Sequence, residues 1–192
     1  MGTRRKFLQL GISAAGWPAI GNWAFANDRV SKAIPTSLPL GIAGYTFLHV
    51  PMDQAIAWMK RLGIEAMSIK DFYLPLDSSP EKVNEVVAAF QAGGIRIYGA
   101  GVIYMKSQVE VDRAFAYAKL LGVDLIIGVP NPELIGYAEQ KVKESGIRLA
   151  IHNHGPEDKL YPSPADVWEH VKGLDSRVGA VFGYRACCAG GG

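Results

Sequence analysis

The segment AIHNHGPED, residues 150–158, holds two histidines and two carboxylates. Alternate residues of a β-strand point to the same face, so His152 and His154 would share one side of a strand that ends here. Two imidazoles on one face could bind a divalent metal or pass a proton. The alternative is that His152 packs in the core while His154 bonds a loop carbonyl. Glu157 and Asp158 follow in the same segment.

Other polar side chains come where further apolar runs end. Lys70 closes one run in SIKDFYLP, Tyr45 and Tyr104 close two others, and Asn153 lies between the two histidines. In parallel α/β folds the chemistry takes place at the carboxyl ends of the strands. Lys70 could therefore bind an anion or an oxyanion, although a lysine in this position is more often a rim residue with a solvated head. The tyrosines by default pack against their neighbours.

The strands that must position these residues are marked by glycine. Gly63, Gly94, Gly122 and Gly146 each precede a β-branched residue and suit the left-handed position that ends a helix. The predicted strands are residues 38–47, 64–69, 95–103, 123–129 and 147–152.

Helices are predicted between these strands. A serine or asparagine before proline opens three of them, at Ser79-Pro80, Asn131-Pro132 and Ser163-Pro164. Ser107 with Glu110 forms a capping box for another, and the first helix spans residues 52–62. The predicted buried positions are Ile56, Met59 and Leu62 in the first helix, Val83, Val86, Val87 and Phe90 in the second, and Val111, Ala114, Phe115 and Ala118 in the third.

Strands that alternate with helices predict a parallel sheet, either open and doubly wound or closed into a (β/α)8 barrel. No G-x-G-x-x-G opens a helix near the first strand, which favours the barrel. The formal net charge of +2, without a long basic run, argues against a nucleic-acid partner.

Residues 1–26 are predicted to be an export signal. Arg4, Arg5 and Lys6 precede an apolar stretch, TRRKFLQ resembles a twin-arginine signal, and cleavage is expected after Ala26. The expected partner is the twin-arginine export machinery, and the expected location is the periplasm or another exported site. An uncleaved membrane anchor is the alternative, but glycine and proline interrupt the apolar stretch. Residues 27–38 are a predicted linker.

The segments GIAGYTF, AMSIKDFYLPLDSSPE, IYGAGVIYM, IIGVPNPEL and LAIHNHGPEDKLYPSP resemble the sugar phosphate isomerase/epimerase family, whose fold is a xylose isomerase-like TIM barrel. The resemblance implies a barrel over residues 39–178, incomplete, with five to six strand-helix units. It departs from the family at His152, where relatives commonly carry a metal-bound carboxylate.

The resemblance also implies an activity. The family removes a proton next to a carbonyl while a divalent metal (Mn, Mg, Zn or Co) holds two substrate oxygens. His152 and His154 would be catalytic residues and metal or substrate ligands, and Glu157 would be a secondary catalytic candidate. Lys70, Tyr45, Tyr104 and Asn153 would contact a small sugar. Two alternatives stay open: a lyase acting on a keto-sugar, and an exported sugar-binding or defunct domain without catalysis.

The tail, residues 179–192, departs from the family, which continues with an Asp-x-Gly-His motif. Codons for residues 179–190 can be chosen so that a second reading frame gives Asp-Ile-Gly-His. We therefore expect one extra nucleotide near codon 179, which leaves Cys187 and Cys188 without a chemical role. A barrel of this type has about 250 residues, so the chain of 192 residues is expected to be truncated, inactive and poorly soluble as written.

Overall fold

The computed structural model describes residues 39–182, which form alternating strands and helices. Six strands lie in one sheet in sequence order, and every neighbouring pair is parallel. The strands are β1 (Ile42–Ala43), β2 (Ala66–Ile69), β3 (Arg96–Met105), β4 (Leu125–Pro130), β5 (Arg148–His152) and β6 (Val178–Val181). The helices are α1 (Met52–Leu62), α2 (Pro80–Ala92), α3 (Gln108–Leu121), α4 (Ile135–Ser145) and α5 (Pro164–Val171). The predicted α/β class, with an incomplete barrel, is confirmed.

Capping residues set the helix starts as the sequence predicted in three cases. The side chains of Ser79, Ser107 and Ser163 each accept a hydrogen bond from the backbone N–H three residues later. In the capping box, however, the Glu110 carboxylate accepts from the Lys106 N–H at 2.5 Å, one residue before the cap. A glycine with positive φ follows four of the five helices, as at Gly122 (φ 71°), whereas Lys172 ends α5.

The first predicted strand is mostly wrong. Only Ile42–Ala43 pairs with β2, and residues 44–47 form a 3₁₀ turn. Gly44 explains the turn, because its backbone lies against β2: a Cβ there would lie 2.3 Å from the Ser68 carbonyl oxygen. The turn carries Tyr45 over the end of the sheet.

Two details of the helix predictions also need correction. Asn131 does not cap a helix; its side chain donates to Glu133, a 3₁₀ turn follows, and α4 begins only at Ile135. Of the positions predicted to be buried in α1, Met59 is buried and Ile56 is partly buried, but Leu62 is 63% exposed; Ala55 is buried as well. Leu62 is the last residue of α1. The predicted buried positions of α3 are all confirmed, as are Val83, Val86 and Phe90 of α2, while Val87 is only partly buried.

The pairing register of β3 changes in the middle of the strand. The pairing of β3 with β4 shifts between Gly101 and Ile103. At Gly101 φ is 142°, and a Cβ would lie 2.1 Å from the Ile127 carbonyl oxygen. Only glycine allows this approach, so Gly101 fixes the position of the second half of β3.

Several predictions fall wholly or partly outside the described residues. These are the export signal (1–26), the linker (27–38) and positions 183–192 of the tail, which include both cysteines. The first residues of the tail are described: Gly179, Ala180 and Val181 pair with β5 as part of β6. Within residues 39–182, no helix has the length and apolar character needed to span a membrane.

Candidate functional site

All six strands contribute to one cavity of about 950 Å³. At least one residue from each strand lines it, including Ala43, Ser68, Gly101, Ile127, His152 and Val181. A sheet whose strands all line one cavity must curve around it, as the wall of a barrel does. Most of the polar lining residues lie at or after the carboxyl ends of the strands, the edge at which parallel α/β folds carry out their chemistry.

The structure brings five of the seven predicted site residues to this cavity: Tyr45, Lys70, Tyr104, His152 and His154. Sequence reasoning did not single out the other polar or aromatic lining residues, which are Thr46, Ser68, Tyr98 and Phe182. Tyr98 could have been found from the strand pattern, because it lies an even number of residues before the predicted site residue Tyr104 on β3. No comparable signal marks Thr46 or Phe182.

Asn153 and Glu157 do not line the cavity. Asn153 is 1% exposed, and its amide has no partner among the described residues. Alternation along the chain explains its placement, because its neighbours His152 and His154 face the other way. Glu157 lies exposed in the loop after β5. The substrate-binding prediction for Asn153 and the catalytic prediction for Glu157 therefore find no support in the geometry.

The two histidines lie on one face, as their spacing predicted. Their rings stack with centroids 4.6 Å apart and an interplanar angle of 17°. His152 is the more enclosed of the two, and its Nδ1 is buried without a hydrogen-bond partner among the described residues. Burial, and then the neighbouring His154, lower the pKa of His152, so its ring favours the neutral form.

His154 is held at both ring nitrogens. Its Nδ1 lies 2.8 Å from Oδ2 of Asp158, and its Nε2 lies 3.2 Å from the hydroxyl of Tyr104. The Tyr104 and His154 rings are also stacked, with centroids 5.7 Å apart. The sequence showed Asp158 as a carboxylate near the histidines but did not identify it as the partner of His154. The signal that could have done so is the spacing of four residues between His154 and Asp158.

The loop that carries Asp158 is fixed by its own hydrogen bonds. Oδ1 of Asp158 accepts from the Leu160 N–H at 2.7 Å and from the Tyr161 N–H at 3.3 Å, the local bonding typical of aspartate in turns. The fully buried Tyr161 donates its hydroxyl to the Pro130 carbonyl at 2.6 Å, which ties the loop to the end of β4. Gly155, at φ 109°, allows the chain to turn directly after His154.

These contacts also set the charge of Asp158. Burial alone would raise the pKa of its carboxyl, but the two backbone N–H groups and His154 outweigh burial and lower that pKa. The pKa of Tyr104 is raised, first by burial and then by the negative charge of Asp158. Around neutral pH the site therefore holds an ionised carboxylate and a protonated phenol on either side of the His154 ring.

Lys70 supplies the positive charge of the cavity. Its Nζ donates to the Val102 carbonyl at 3.1 Å and pairs with the Asp71 carboxylate at 2.9 Å. An ammonium group has three donors, so one remains for a ligand. The loop after Lys70 is anchored because the Tyr73 hydroxyl donates to the Val50 carbonyl at 2.7 Å and the Tyr117 hydroxyl donates to the Leu74 carbonyl at 2.7 Å.

The described residues do not fit the divalent metal that the family resemblance implies. A catalytic zinc site uses three protein ligands, and no group of three His, Cys, Asp or Glu side chains within residues 39–182 is arranged to hold an ion. The cavity offers two imidazoles, and both ring nitrogens of His154 are already in hydrogen bonds. The unpartnered Nδ1 of His152 is a single donor atom.

No protein-family model matches the chain, and no curated protein matches it. Solved structures do. An uncharacterized protein from Parabacteroides distasonis aligns with a TM-score of 0.62 and 23% identity over 73% of this chain and 60% of its own. A xylose isomerase domain protein from Alicyclobacillus acidocaldarius aligns with a TM-score of 0.53 and 17% identity, over 76% and 63% of the two chains.

A 3-keto-D-glucoside 4-epimerase from E. coli aligns with a TM-score of 0.56 and 13% identity, over 76% of this chain and 68% of its own. The chain thus spans about 60% of the length of the Parabacteroides protein and 63% of the Alicyclobacillus protein. Identities at this level show a shared fold. The described part of the chain has the α/β fold of the xylose isomerase-like TIM barrels, with six strands of an incomplete barrel.

Proposed function

We propose that the cavity is the active site of a sugar isomerase or epimerase that moves a proton next to a carbonyl group. The observation that carries the proposal is the His154 imidazole, held by the Asp158 carboxylate at the mouth of a cavity that also contains Lys70. Fold similarity to a xylose isomerase domain protein and to a keto-glucoside epimerase supports the same class of reaction.

Each of these groups has a part in the reaction. Removing a proton from the carbon next to a carbonyl leaves negative charge on the carbonyl oxygen, and a preorganised cation stabilises that charge. The remaining donor of Lys70 would bind this oxygen. The added positive charge would reside on His154, with a proton on Nε2, the ring nitrogen on the side away from Asp158. Returning the proton to the other carbon, while the hydroxyl proton moves between the two oxygens of the enediolate, gives isomerisation. Returning it to the opposite face of the same carbon gives epimerisation.

The charge of the cavity favours a neutral sugar over a sugar phosphate. Lys70 is the one lysine or arginine among the described residues that line the cavity, and Asp71 already neutralises it. Phosphate binding uses unpaired cations or backbone N–H groups at a helix start. A doubly charged phosphate would therefore enter this cavity without compensation, whereas hydroxyl groups could bond Tyr45, Tyr104 and Ser68.

The experiment is exchange of substrate hydrogen with solvent deuterium. The full chain would be incubated in D2O with D-fructose or D-fructose 6-phosphate, and deuterium at the carbon next to the carbonyl would be followed by NMR. The missing strands led us to expect an inactive chain, but all six described strands already line the cavity, so we propose that the chain is active. We expect exchange with the neutral sugar, little exchange with the phosphate, and loss of exchange in His154→Gln and Lys70→Met. His49→Gln and Lys106→Met are matched controls, because both residues are exposed and neither lines the cavity.

Other outcomes would contradict the proposal in distinct ways. Loss of water from the sugar would favour the lyase. Binding of the sugar without any exchange would favour the non-catalytic binding domain. Exchange by His154→Gln at the rate of the unsubstituted chain would exclude His154 from the mechanism.

We also propose that the chain is exported through the twin-arginine machinery and cleaved after Ala26. The support is the sequence of residues 1–26. Fractionation followed by N-terminal sequencing tests it: an exported protein that begins at Asn27 is expected, and Arg4→Lys with Arg5→Lys should retain the uncleaved chain in the cytoplasm. Export that survives this double substitution would contradict the twin-arginine route.

A further inference from the structure

The hydrogen bonds of His154 run in a single direction, and this direction distinguishes a proton relay from a metal ligand. A carboxylate can only accept, so the Asp158 contact at 2.8 Å places the His154 proton on Nδ1. A neutral imidazole with its proton on Nδ1 carries a lone pair on Nε2. The Tyr104 hydroxyl, 3.2 Å away, then donates to that lone pair.

Like His154, Tyr104 can be reached by a ligand in the cavity. Its side chain lines the cavity and is 50% exposed, whereas Asp158 does not line the cavity. The lone pair of His154 Nε2 is used by the contact with the Tyr104 hydroxyl. A metal would have to displace the Tyr104 hydroxyl to reach the same lone pair.

We propose that Tyr104 is the catalytic residue that contacts the substrate, that His154 and Asp158 act through it as a proton relay, and that His154 is not a metal ligand. This inference rests on the proposed function for the identity of the reaction. It departs from the family resemblance, which implied that His154 is a catalytic residue and a metal or substrate ligand and that Tyr104 only binds substrate.

The proton steps balance without an added reactant. The oxygen of Tyr104 takes the proton from the substrate carbon as its own proton passes to Nε2 of His154. The electron pair of the broken C–H bond forms the C=C bond of the enediolate, and the carbonyl pair moves to the oxygen beside Lys70. His154 is then an imidazolium ion paired with the Asp158 carboxylate. The reverse transfers return a proton to carbon and regenerate all three side chains.

The His152 ring stacks on the His154 ring and helps to hold it in place. It covers one face of His154 at 4.6 Å, so the relay has a neutral, flat neighbour on that side. Tyr104 is stacked at 5.7 Å with an interplanar angle of 10°. The imidazole is therefore held by ring contacts in addition to its two hydrogen bonds, and preorganisation of this kind is what efficient proton transfer requires.

The first test determines, without any substrate, which ring nitrogen of His154 carries the proton. Long-range ¹H–¹⁵N NMR of the full chain should show His154 with its proton on Nδ1. Asp158→Asn should reduce this tautomer, Tyr104→Phe should shift the Nε2 resonance, and Tyr137→Phe, at a tyrosine bonded to Asp112 and outside the cavity, should change neither. Addition of ZnCl2 should leave the His154 Nε2 signal in place. A proton on Nε2, or a zinc-induced loss of that signal at stoichiometric metal, would overturn the relay.

The second test uses the D-fructose exchange assay. Tyr104→Phe should lower the exchange rate by about 100-fold or more, the usual contribution of a positioned acid–base group, with little change in sugar affinity. Exchange by Tyr104→Phe at the unsubstituted rate would overturn the role of Tyr104. Absence of exchange in the unsubstituted chain would instead overturn the proposed function, while the NMR result would still decide the hydrogen-bond direction.

Discussion

Gly101 offers the sharpest test of how the fold positions the site. Replacing it with alanine adds a Cβ 2.1 Å from the Ile127 carbonyl oxygen and 2.9 Å from the Ile127 Cβ. The substitution also places a side chain at φ 142°, a conformation that residues other than glycine rarely adopt. Overpacking costs about 1–3 kcal/mol and an unfavourable φ about 1–3 kcal/mol. Gly101→Ala should therefore lower the free energy of unfolding by about 2–6 kcal/mol, the sum of these two costs.

Two other glycines separate these contributions. Gly122 ends α3 at φ 71°, and nothing lies within 4 Å of the position that a Cβ would occupy, so Gly122→Ala should show the cost of φ alone, about 1 kcal/mol. Gly136 lies in α4 with open space around it, so Gly136→Ala should stabilise the protein by about 0.5–1 kcal/mol through helix propensity. Chemical denaturation followed by circular dichroism gives all three free energies.

Gly101→Ala should also disturb the site more than the other two glycine substitutions do. The Val102 carbonyl that follows Gly101 accepts from Lys70, and Tyr104 lies two residues further along β3. A displaced β3 would move both contacts, so Gly101→Ala should alter the His154 and Tyr104 NMR signals even where the protein stays folded. A loss of stability equal to that of Gly122→Ala, with unchanged signals, would refute the close packing of β3 on β4.

Three further expectations follow from the same contacts. Burial and His154 lower the pKa of His152 in the folded chain, so the unfolded chain binds a proton more readily at this residue. Stability should therefore fall as the pH drops below the ordinary histidine pKa of 6.5. Thermal melts of His152→Gln should show a weaker pH dependence. An unchanged pH dependence of stability in His152→Gln would contradict this expectation. Tyr117→Phe should cost about 1–3 kcal/mol in denaturant titrations, because the buried Leu74 carbonyl loses its donor, and a neutral effect would show that water replaces the hydroxyl. EDTA treatment should leave deuterium exchange intact, since the donors within residues 39–182 do not complete a metal site; exchange that requires added Mn²⁺ or Zn²⁺ would restore the metal mechanism.

The sequence determined the alternation of strands and helices. Ser79, Ser107 and Ser163 mark helix starts by local hydrogen bonding, and the αL glycines mark helix ends by local backbone geometry. Both are short-range effects that neighbouring residues decide, so a single sequence reveals them. The spacing of His152 and His154 likewise fixed which face they share, because the strand period is two.

Only the tertiary structure decided which polar residues meet. The partners of His154 are Tyr104, fifty positions earlier and two strands away, and Asp158, brought back by a loop that Tyr161 anchors to Pro130. No local pattern specifies such pairings, since they depend on the curvature of the sheet and on the path of a loop. The short β1 is a second case: the apolar run 38–47 suits a strand, but the close approach of Gly44 to Ser68 turns the chain. Local propensity thus set the elements, while contacts distant in sequence set the site.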